Sequence, residues 1–371
     1  MKRILCLIFA LCLLLCGCGG GGEETTPSTT EATVPMQTTG APTEAPTTVP
    51  ETTEAIVLYT HPLNGEQLEE PFAGRATAVV INNIQAALPQ YGTSQADMIY
   101  ELETEGGITR LLAVFSDLEN VGSIGPVRSA RTFFNNIALS HDAVLIHCGG
   151  SQFALNGNYS DNGDVISNWE HINEQSNGAY FFRDTTRYNS GYAWEHTLFT
   201  SGQRVMEGLQ EKGYRTTPES TEGYDHGLVF AEQPDLSEGE TATSVTVKFR
   251  NNKTTSFQYD VATGTYKAYQ YDKEMMDAGA GKQLTFRNVI VIYTKHFFRS
   301  DAYYSRSFYE LSGSGEGHFV CDGKIVPIQW HRDELRGSIS YTYADGTPVE
   351  IGMGKTYVAV VDIERGTTTY Q

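Results

Sequence analysis

The sequence predicts an α/β N-terminal domain with a mixed or partly parallel sheet, followed by a mostly antiparallel β C-terminal domain. Three observations lead there. Between residues 76 and 151, short apolar runs alternate with stretches of helical spacing, the pattern of strands joined through helices. Beyond about residue 235 the pattern changes to period-two alternation broken by turn residues, which reads as antiparallel β. The length, 371 residues, accommodates two domains and a linker.

Taken in order, Ala76–Ile81 is an apolar strand. Ser94–Glu103 is predicted as a helix because Ser94 and Asp97 have capping-box spacing, and Gly106-Gly107 ends it. Ile108–Phe115 is a second buried strand, and Ser129–Ser140 is a helix with Phe133, Phe134, Ile137 and Ala138 on one face. Ala143–Ile146 is a third strand, closed by Gly149-Gly150-Ser151. The resulting order is β-α-β-α-β. Residues 152–195 are polar and irregular, a length that suits a binding surface, and Leu198–Lys212 has helical spacing. Thr243–Phe249, Thr254–Tyr259 and Thr265–Tyr271 begin the β-rich half, the last two as a hairpin, and Asn288–Tyr293, Phe308–Leu311, Gly317–Cys321, Ile325–Trp330 and Thr356–Val361 continue it.

The first eighteen residues carry an address. Lys2 and Arg3 precede an apolar run from Ile4 to Cys16, too short to span a bilayer comfortably. The run ends Leu15-Cys16-Gly17-Cys18, which resembles the lipobox of bacterial lipoproteins. That resemblance implies a signal peptide at 1–17, a diacylglycerol-type lipid on Cys18, and retention on the outer face of the bacterial cytoplasmic membrane. Residues 18–56 then form a disordered tether, since 19–55 hold twelve Thr, five Pro and six Glu but no Lys, Arg, Phe, Tyr or Trp. The α/β domain is assigned to 57–235 and the mainly β domain to 236–371.

Charge and cysteine content narrow the functional classes. The chain carries 26 basic and 45 acidic residues, a net −19. A balance so acidic argues against nucleic acid as a partner and against adhesion to anionic lipid through the protein surface. The lipid, not surface charge, is the expected membrane contact. Beyond Cys18 only Cys148 and Cys321 remain, expected as separate buried thiols. No Cys/His spacing suggests a metal, and no cofactor is expected.

Several residues are candidates for chemistry. Arg128, Ser129 and Arg131 in GPVRSAR, with Arg110 in EGGITR, suit a carboxylate, phosphate or uronate-like anion; equally, the arginines can pair with Glu101 and Glu105 inside the domain. His147, Gly149, Gly150 and Ser151 follow the third strand, where α/β folds commonly bind ligands, although a plain strand-to-loop turn explains the same residues. The local string CGGSQF lacks the GxSxG nucleophile elbow. Glu101, Glu105, His147 and His196 are the candidate acid/base groups. Trp330 beside His331, Arg332 and Asp333 suits either a sugar ring or the core, and His318 is a further candidate. The Gly-x-Gly pattern around His318 precedes no helix, which argues against a nucleotide site.

The segments INNIQAALPQYGTSQADMIYELETEGGITRLLAVF, GSIGPVRSARTFF and the HCGGS loop resemble the YerB-like lipoproteins, a bacterial family of unknown molecular function. The similarity runs from about Pro62 to the C-terminus, through an N-terminal and a C-terminal family domain. It is most specific at Glu105–Arg110 and Gly125–Arg131. Where the family has an Asn after a later histidine, this chain has Glu195-His196-Thr197, so no role passes to that amide. The resemblance implies architecture and location and brings no mechanism.

The sequence thus favours a membrane-anchored binding or accessory protein of the cell envelope, its partner a wall polymer or an envelope protein. A cell-wall-modifying hydrolase using carboxylate and His groups is the rival. A solute-binding protein is the third reading, although the β-rich second half does not suggest two similar lobes.

Overall fold

Continuous apolar runs become central strands when both of their faces are covered. Here β1 (Thr77–Asn82), β2 (Met98–Glu103) and β3 (Thr109–Phe115) are buried at every residue. The computed structural model describes residues 58–155, 166–220, 223–300, 304–334 and 336–371; Cys18, the leader and the Thr/Pro/Glu-rich stretch lie outside the described residues. After β3 come α1 (Thr132–Leu139), β4 (Val144–His147), β5 (His171–Asn173), α2 (Thr185–Asn189), β6 (Leu198–Ser201) and α3 (Gly202–Lys212). The β-rich half contributes β7 (Ser244–Arg250), β8 (Lys253–Asp260), β9 (Thr265–Gln270), β10 (Asn288–Thr294), β11 (His296–Ser300) and β12 (Ser305–Tyr309). It ends with β13 (Gly313–Cys321), β14 (Lys324–Arg332), β15 (Thr356–Asp362) and β16 (Thr367–Tyr370).

A mixed sheet of 11 strands runs in the order Glu240–Thr241, β14, β13, β10, β15, β2, β3, β1, β4, β5, with Ser340–Thr342 also on β14. Neighbours pair in parallel across β10–β15, β15–β2, β1–β4 and β4–β5. The pairs β2–β3, β1–β3, β10–β13 and β13–β14 are antiparallel. The N-terminal region therefore has the mixed, partly parallel sheet with helices that the sequence predicts, and the C-terminal region is mostly antiparallel. Ala55–Gln371 make up one compact unit, and the β15–β2 pairing carries the sheet across residues 235 and 236.

Strand alternation sorts the core onto two faces. Val79, Ile81, Ile99, Ala113 and Phe115 meet Val245, Val247, Phe257 and Phe286 of a second sheet. That sheet has six strands, in the order Lys273–Glu274, β9, β8, β7, β16, with Thr285–Phe286 also paired to β9. The opposite residues, Ala78, Val80, Tyr100, Leu112 and Val114, meet Phe133, Phe134 and Ile137 of α1. On β7 burial alternates along the whole strand, one face inside and one toward solvent.

The structure corrects three local expectations. Residues 98–103 are a strand, preceded by a single 3-10 turn at Thr93–Gln95, not a helix over 94–103. The capping-box residues have tertiary partners instead: Ser94 Oγ donates to Asp277 (2.7 Å), and Asp97 accepts from Asn64 Nδ2 and from Ser116 N–H and Oγ, each at 2.8 Å. The β-α-β-α-β order consequently becomes β-β-β-α-β. The segment 198–212 divides into β6 and α3, because Ser201 Oγ caps Arg204 N–H at 3.3 Å and starts the helix late. Cys148 is half-buried, whereas Cys321 is fully buried, and both are free thiols. Among the described residues no helix is long and apolar enough to cross a membrane.

Two carboxylates bind the sheets together. Glu101 on β2 is fully buried; its Oε1 accepts from Asn83 Nδ2 (2.8 Å) and Thr109 Oγ1 (2.5 Å) and pairs with Lys253 Nζ (3.0 Å). Its Oε2 accepts from Thr255 Oγ1 and Tyr357 OH, both at 2.6 Å. Two residues along, Glu103 takes Arg250 Nε of β7 at 2.5 Å. Removing one member of a buried ion pair leaves its partner charged and unmatched, a loss of about 3–5 kcal/mol. Lys253→Met is therefore expected to lower the free energy of urea unfolding by roughly that amount; a loss below about 1 kcal/mol would show that the pair does not hold the sheets.

Candidate functional site

The GPVRSAR segment lies between β1 and the loop after β4. Arg128 N–H donates to Val80 O (2.8 Å), and Cys148 N–H donates to Arg128 O (3.0 Å). Ala130 N–H reaches Gly149 O (3.0 Å), and Ala130 and Gly150 form a parallel bridge. The backbone of 128–130 thus extends the sheet locally and fixes where the arginine side chains begin. Arg131 occupies the N-cap position of α1 in extended conformation, and its side chain makes no cap hydrogen bond.

Glu105 approaches from the other side. It sits at the head of the Gly106-Gly107 turn, where φ values of +78° and +70° require glycine. Arg131 grips it in a fork, Nε to Oε1 at 2.8 Å and Nη2 to Oε2 at 2.6 Å, and Ser307 N–H of β12 adds a third bond at 3.1 Å. Burial pushes this carboxyl up, but the Arg131 bonds and charge, Ser307 and Arg110 outweigh it and hold Glu105 down to about 2. A carboxylate so committed is a counter-ion and a poor proton donor at neutral pH.

Arg110, at the start of β3, is 5% exposed. Its Nη1 donates to Ser129 O (2.7 Å), while its buried Nε has no partner among the described residues. Burial, then the charges of Arg131 and Arg128, then Arg306, press Arg110 well below the usual guanidinium value, with Glu105 opposing. Arg128 is half-buried; its Nη1 reaches Glu195 O at 3.4 Å, and its Nε is likewise buried with no partner among the described residues. Positive charge therefore exceeds negative charge locally in a chain that is acidic as a whole.

The glycine loop lies alongside. His147 is buried, and its Nδ1–H donates to Gly149 O (2.8 Å), which leaves Nε2 to accept from His171 Nδ1–H (2.9 Å). Burial is the main cause that lowers His147 to about 4, with His171 adding to it and the Gly149 bond opposing. Both ring nitrogens are occupied. Ser151 Oγ accepts from Ala154 N–H (3.2 Å) and so caps the single turn Gln152–Leu155. Cys148 Sγ donates to Glu174 (3.2 Å), and burial with that carboxylate pushes the thiol up to about 12, far from a reactive thiolate.

Glu105, Arg110, Arg128, Ser129, Arg131, Gly149, Gly150 and Ser151 are thus neighbours, with His147 beneath the glycine turn. His196 stands at the rim: Asn82 Nδ2 donates to its Nδ1 (3.1 Å), and Nε2 faces exposed Glu195 at 3.7 Å. Three candidates lie elsewhere. Glu101 is in the core between the sheets. Trp330 is 2% exposed on β14, its Nε1–H bonded to Tyr293 O (3.0 Å), so it presents no ring to a sugar. His318 is half-buried on β13, across the ladder from Pro327. Arg306 carries no motif near the other arginines in sequence; β12, whose Ser307 N–H bonds Glu105, brings its charge near Arg110. Among the described residues no three His, Cys, Asp or Glu side chains gather as a metal group.

The segments that build this site fall within two regions that match a family. Residues 63–215 match the "Protein of unknown function (DUF3048) N-terminal domain", and residues 245–358 match the corresponding C-terminal domain. The chain belongs to the YerB-like family. It is 26% identical over 318 residues to "Putative lipoprotein YerB" of Bacillus subtilis, covering 84% of this chain and 88% of that protein. The crystal structure of the YerB protein from Bacillus subtilis matches with a TM-score of 0.68 at 25% identity, over 84% of this chain and 99% of that one. The YerB-like family is one of unknown function, so the chemistry has to come from the geometry.

Two groups predict acid lability in separate windows. His147 is lowered to about 4, so the unfolded chain binds more protons below about pH 6.5, and stability falls from there to about pH 4. Glu105 is lowered to about 2, so its contribution is complete above about pH 4.5 and is lost as the pH falls toward 2. Glu105→Gln should flatten the stability profile between about pH 4.5 and 2 and leave the upper window unchanged; unaltered slopes in both windows would exclude the assignment.

Proposed function

We propose that this protein is an extracytoplasmic, lipid-anchored binding or accessory protein of the cell envelope, and that Arg110, Arg128 and Arg131 form its anion-binding site. The single observation that carries the site is Arg110: a buried guanidinium whose Nε has no partner among the described residues, beside two further arginines and one committed carboxylate. A buried donor left without a partner costs about 1–3 kcal/mol, a deficit that a bound carboxylate or phosphate oxygen would remove. Ser129, Gly149, Gly150 and Ser151 would form the polar wall beside it.

The anchor rests on the Leu15-Cys16-Gly17-Cys18 string and on the likeness to a relative named as a lipoprotein. Cys18 would carry the diacylglycerol-type lipid, and 18–56 would lift the folded part from the outer face of the membrane. Cys18→Ser is expected to move the protein from the membrane fraction to the medium; undiminished membrane retention would reject the anchor.

The hydrolase reading retains one acid/base candidate near the arginines, the buried His196 with exposed Glu195 beside Arg128. It loses the pair of carboxylates that glycoside hydrolysis commonly uses, since Glu101 and Glu105 are each held by cations. Binding is therefore the better supported function.

The site is tested by thermal unfolding with inorganic phosphate or glucuronate at constant ionic strength. Either anion should raise Tm through mass action, by about 2.7 kcal/mol of stabilisation at one hundred times Kd, and Arg128→Ala should abolish most of the effect. No anion-dependent shift in the wild-type protein would refute the site.

A further inference from the structure

The rim of the arginine cluster holds an aromatic surface. Trp194 is 54% exposed and Tyr188 52%, although large aromatic side chains normally bury most of their area. They meet edge to face, ring centroids 5.5 Å apart. The Arg183 guanidinium lies 4.5 Å from the Trp194 ring centre, and its Nη1 donates to Trp194 O at 2.9 Å. The next carbonyl, Glu195 O, is the acceptor for Arg128. Two guanidinium groups therefore hold consecutive carbonyls, and successive Cα atoms are only about 3.8 Å apart. The indole and the anion site are adjacent.

This surface is held rigidly. Asp184 caps α2 by accepting Arg187 N–H (3.0 Å). The Arg187 side chain turns inward, donating to Pro89 O (2.9 Å) and Ala87 O (2.6 Å) and stacking 4.1 Å from the Tyr192 ring centre. Arg187 thus fixes the segment from which Tyr188 projects. A preorganised, amphipathic aromatic pair loses little entropy when it binds.

We infer that the ligand of the arginine site is an anionic glycan whose successive sugar rings pack one on Trp194 and another on Tyr188, the two perpendicular faces, while its carboxylate or phosphate meets Arg128 and Arg110. The inference rests on the anion-site reading above. Indole and phenol rings present flat apolar faces that match the C–H face of a pyranose. The adjacent guanidinium groups select chains bearing negative charge over neutral ones. An isolated phosphate would use the arginines and leave both aromatic rings unoccupied.

The experiment titrates the full-length protein in detergent by calorimetry and Trp fluorescence. Five probes are used: a hyaluronan hexasaccharide for carboxylate, a glycerol-phosphate oligomer bearing sugar substituents for phosphate, neutral chitohexaose, inorganic phosphate and, with the detergent removed, phosphatidylglycerol vesicles. One of the two anionic oligomers should bind at least about tenfold more tightly than chitohexaose or phosphate, and Trp194→Ala should remove about tenfold of that affinity while phosphate binding is unchanged. Tyr188→Ala, at a second exposed position, should act in the same direction by a smaller factor. If phosphate binds in an Arg128-dependent way but neither oligomer gains through Trp194, the glycan inference is overturned and the anion site stands. If no probe binds, both fall. A Trp194-dependent response to phosphatidylglycerol vesicles without one to either oligomer overturns the inference in favour of a lipid surface.

Discussion

The carboxylate of Glu101 has to be matched inside a dry interior, and much of the architecture follows from how it is matched. Its partners come from β2's neighbour β3, from the loop after β1, from β8 and from β15, sites up to 256 residues apart in the chain. An unpaired charge in that position would be prohibitive, so the six-stranded sheet has to dock with Lys253 and Thr255 facing β2. Lys253 has no exit to water either; burial lowers its pKa, and the Glu101 charge with the Gln270 side chain stabilises the ammonium. The polar cluster fixes register where apolar faces alone would permit sliding.

That constraint propagates to the candidate site. With β2 fixed by Glu101, the turn after it delivers Glu105 to Arg131, and β3 returns with Arg110 beneath Ser129. The β-rich half contributes Ser307 N–H to Glu105 and the charge of Arg306 to Arg110. The arginine cluster therefore depends on both family regions. Its excess positive charge is tolerable because one edge opens toward Arg128 and the Glu195 loop, where solvent or a ligand oxygen can screen it.

Much of the fold was legible because burial leaves a periodic trace. The runs at 76–81, 108–115 and 143–146, the helix face of Phe133, Phe134 and Ile137, and the alternation of 243–249 all report how many faces of an element are covered. Residues 98–103 misled for a physical reason. Glu101 and Glu103 interrupt an apolar strand, and local pattern cannot reveal that Lys253 and Arg250 neutralise them from afar. The site was legible as a set of motifs: EGGITR and GPVRSAR do face one another. The division of labour among their residues was not, because the pairing of Arg131 with Glu105 and the orphaned Nε of Arg110 are outcomes of packing. Trp330 and Trp194 show the same limit. Each stands among polar neighbours in sequence, yet Gly315 opposite Trp330 leaves room for its indole in the sheet, while Trp194 stays at the surface.

The sequence by itself determined the class of the fold, the family, and the acidic character of the chain, since each is written in composition, period or motif. It also supplied Glu105, Arg110, Arg128 and Arg131 of the arginine cluster, though not Arg306. Only the tertiary structure decided which carboxylate is a structural pin, which is a counter-ion, which guanidinium keeps a donor unsatisfied, and which tryptophan meets solvent. Those outcomes depend on desolvation and on partners brought from distant strands, and neither quantity has a local signature.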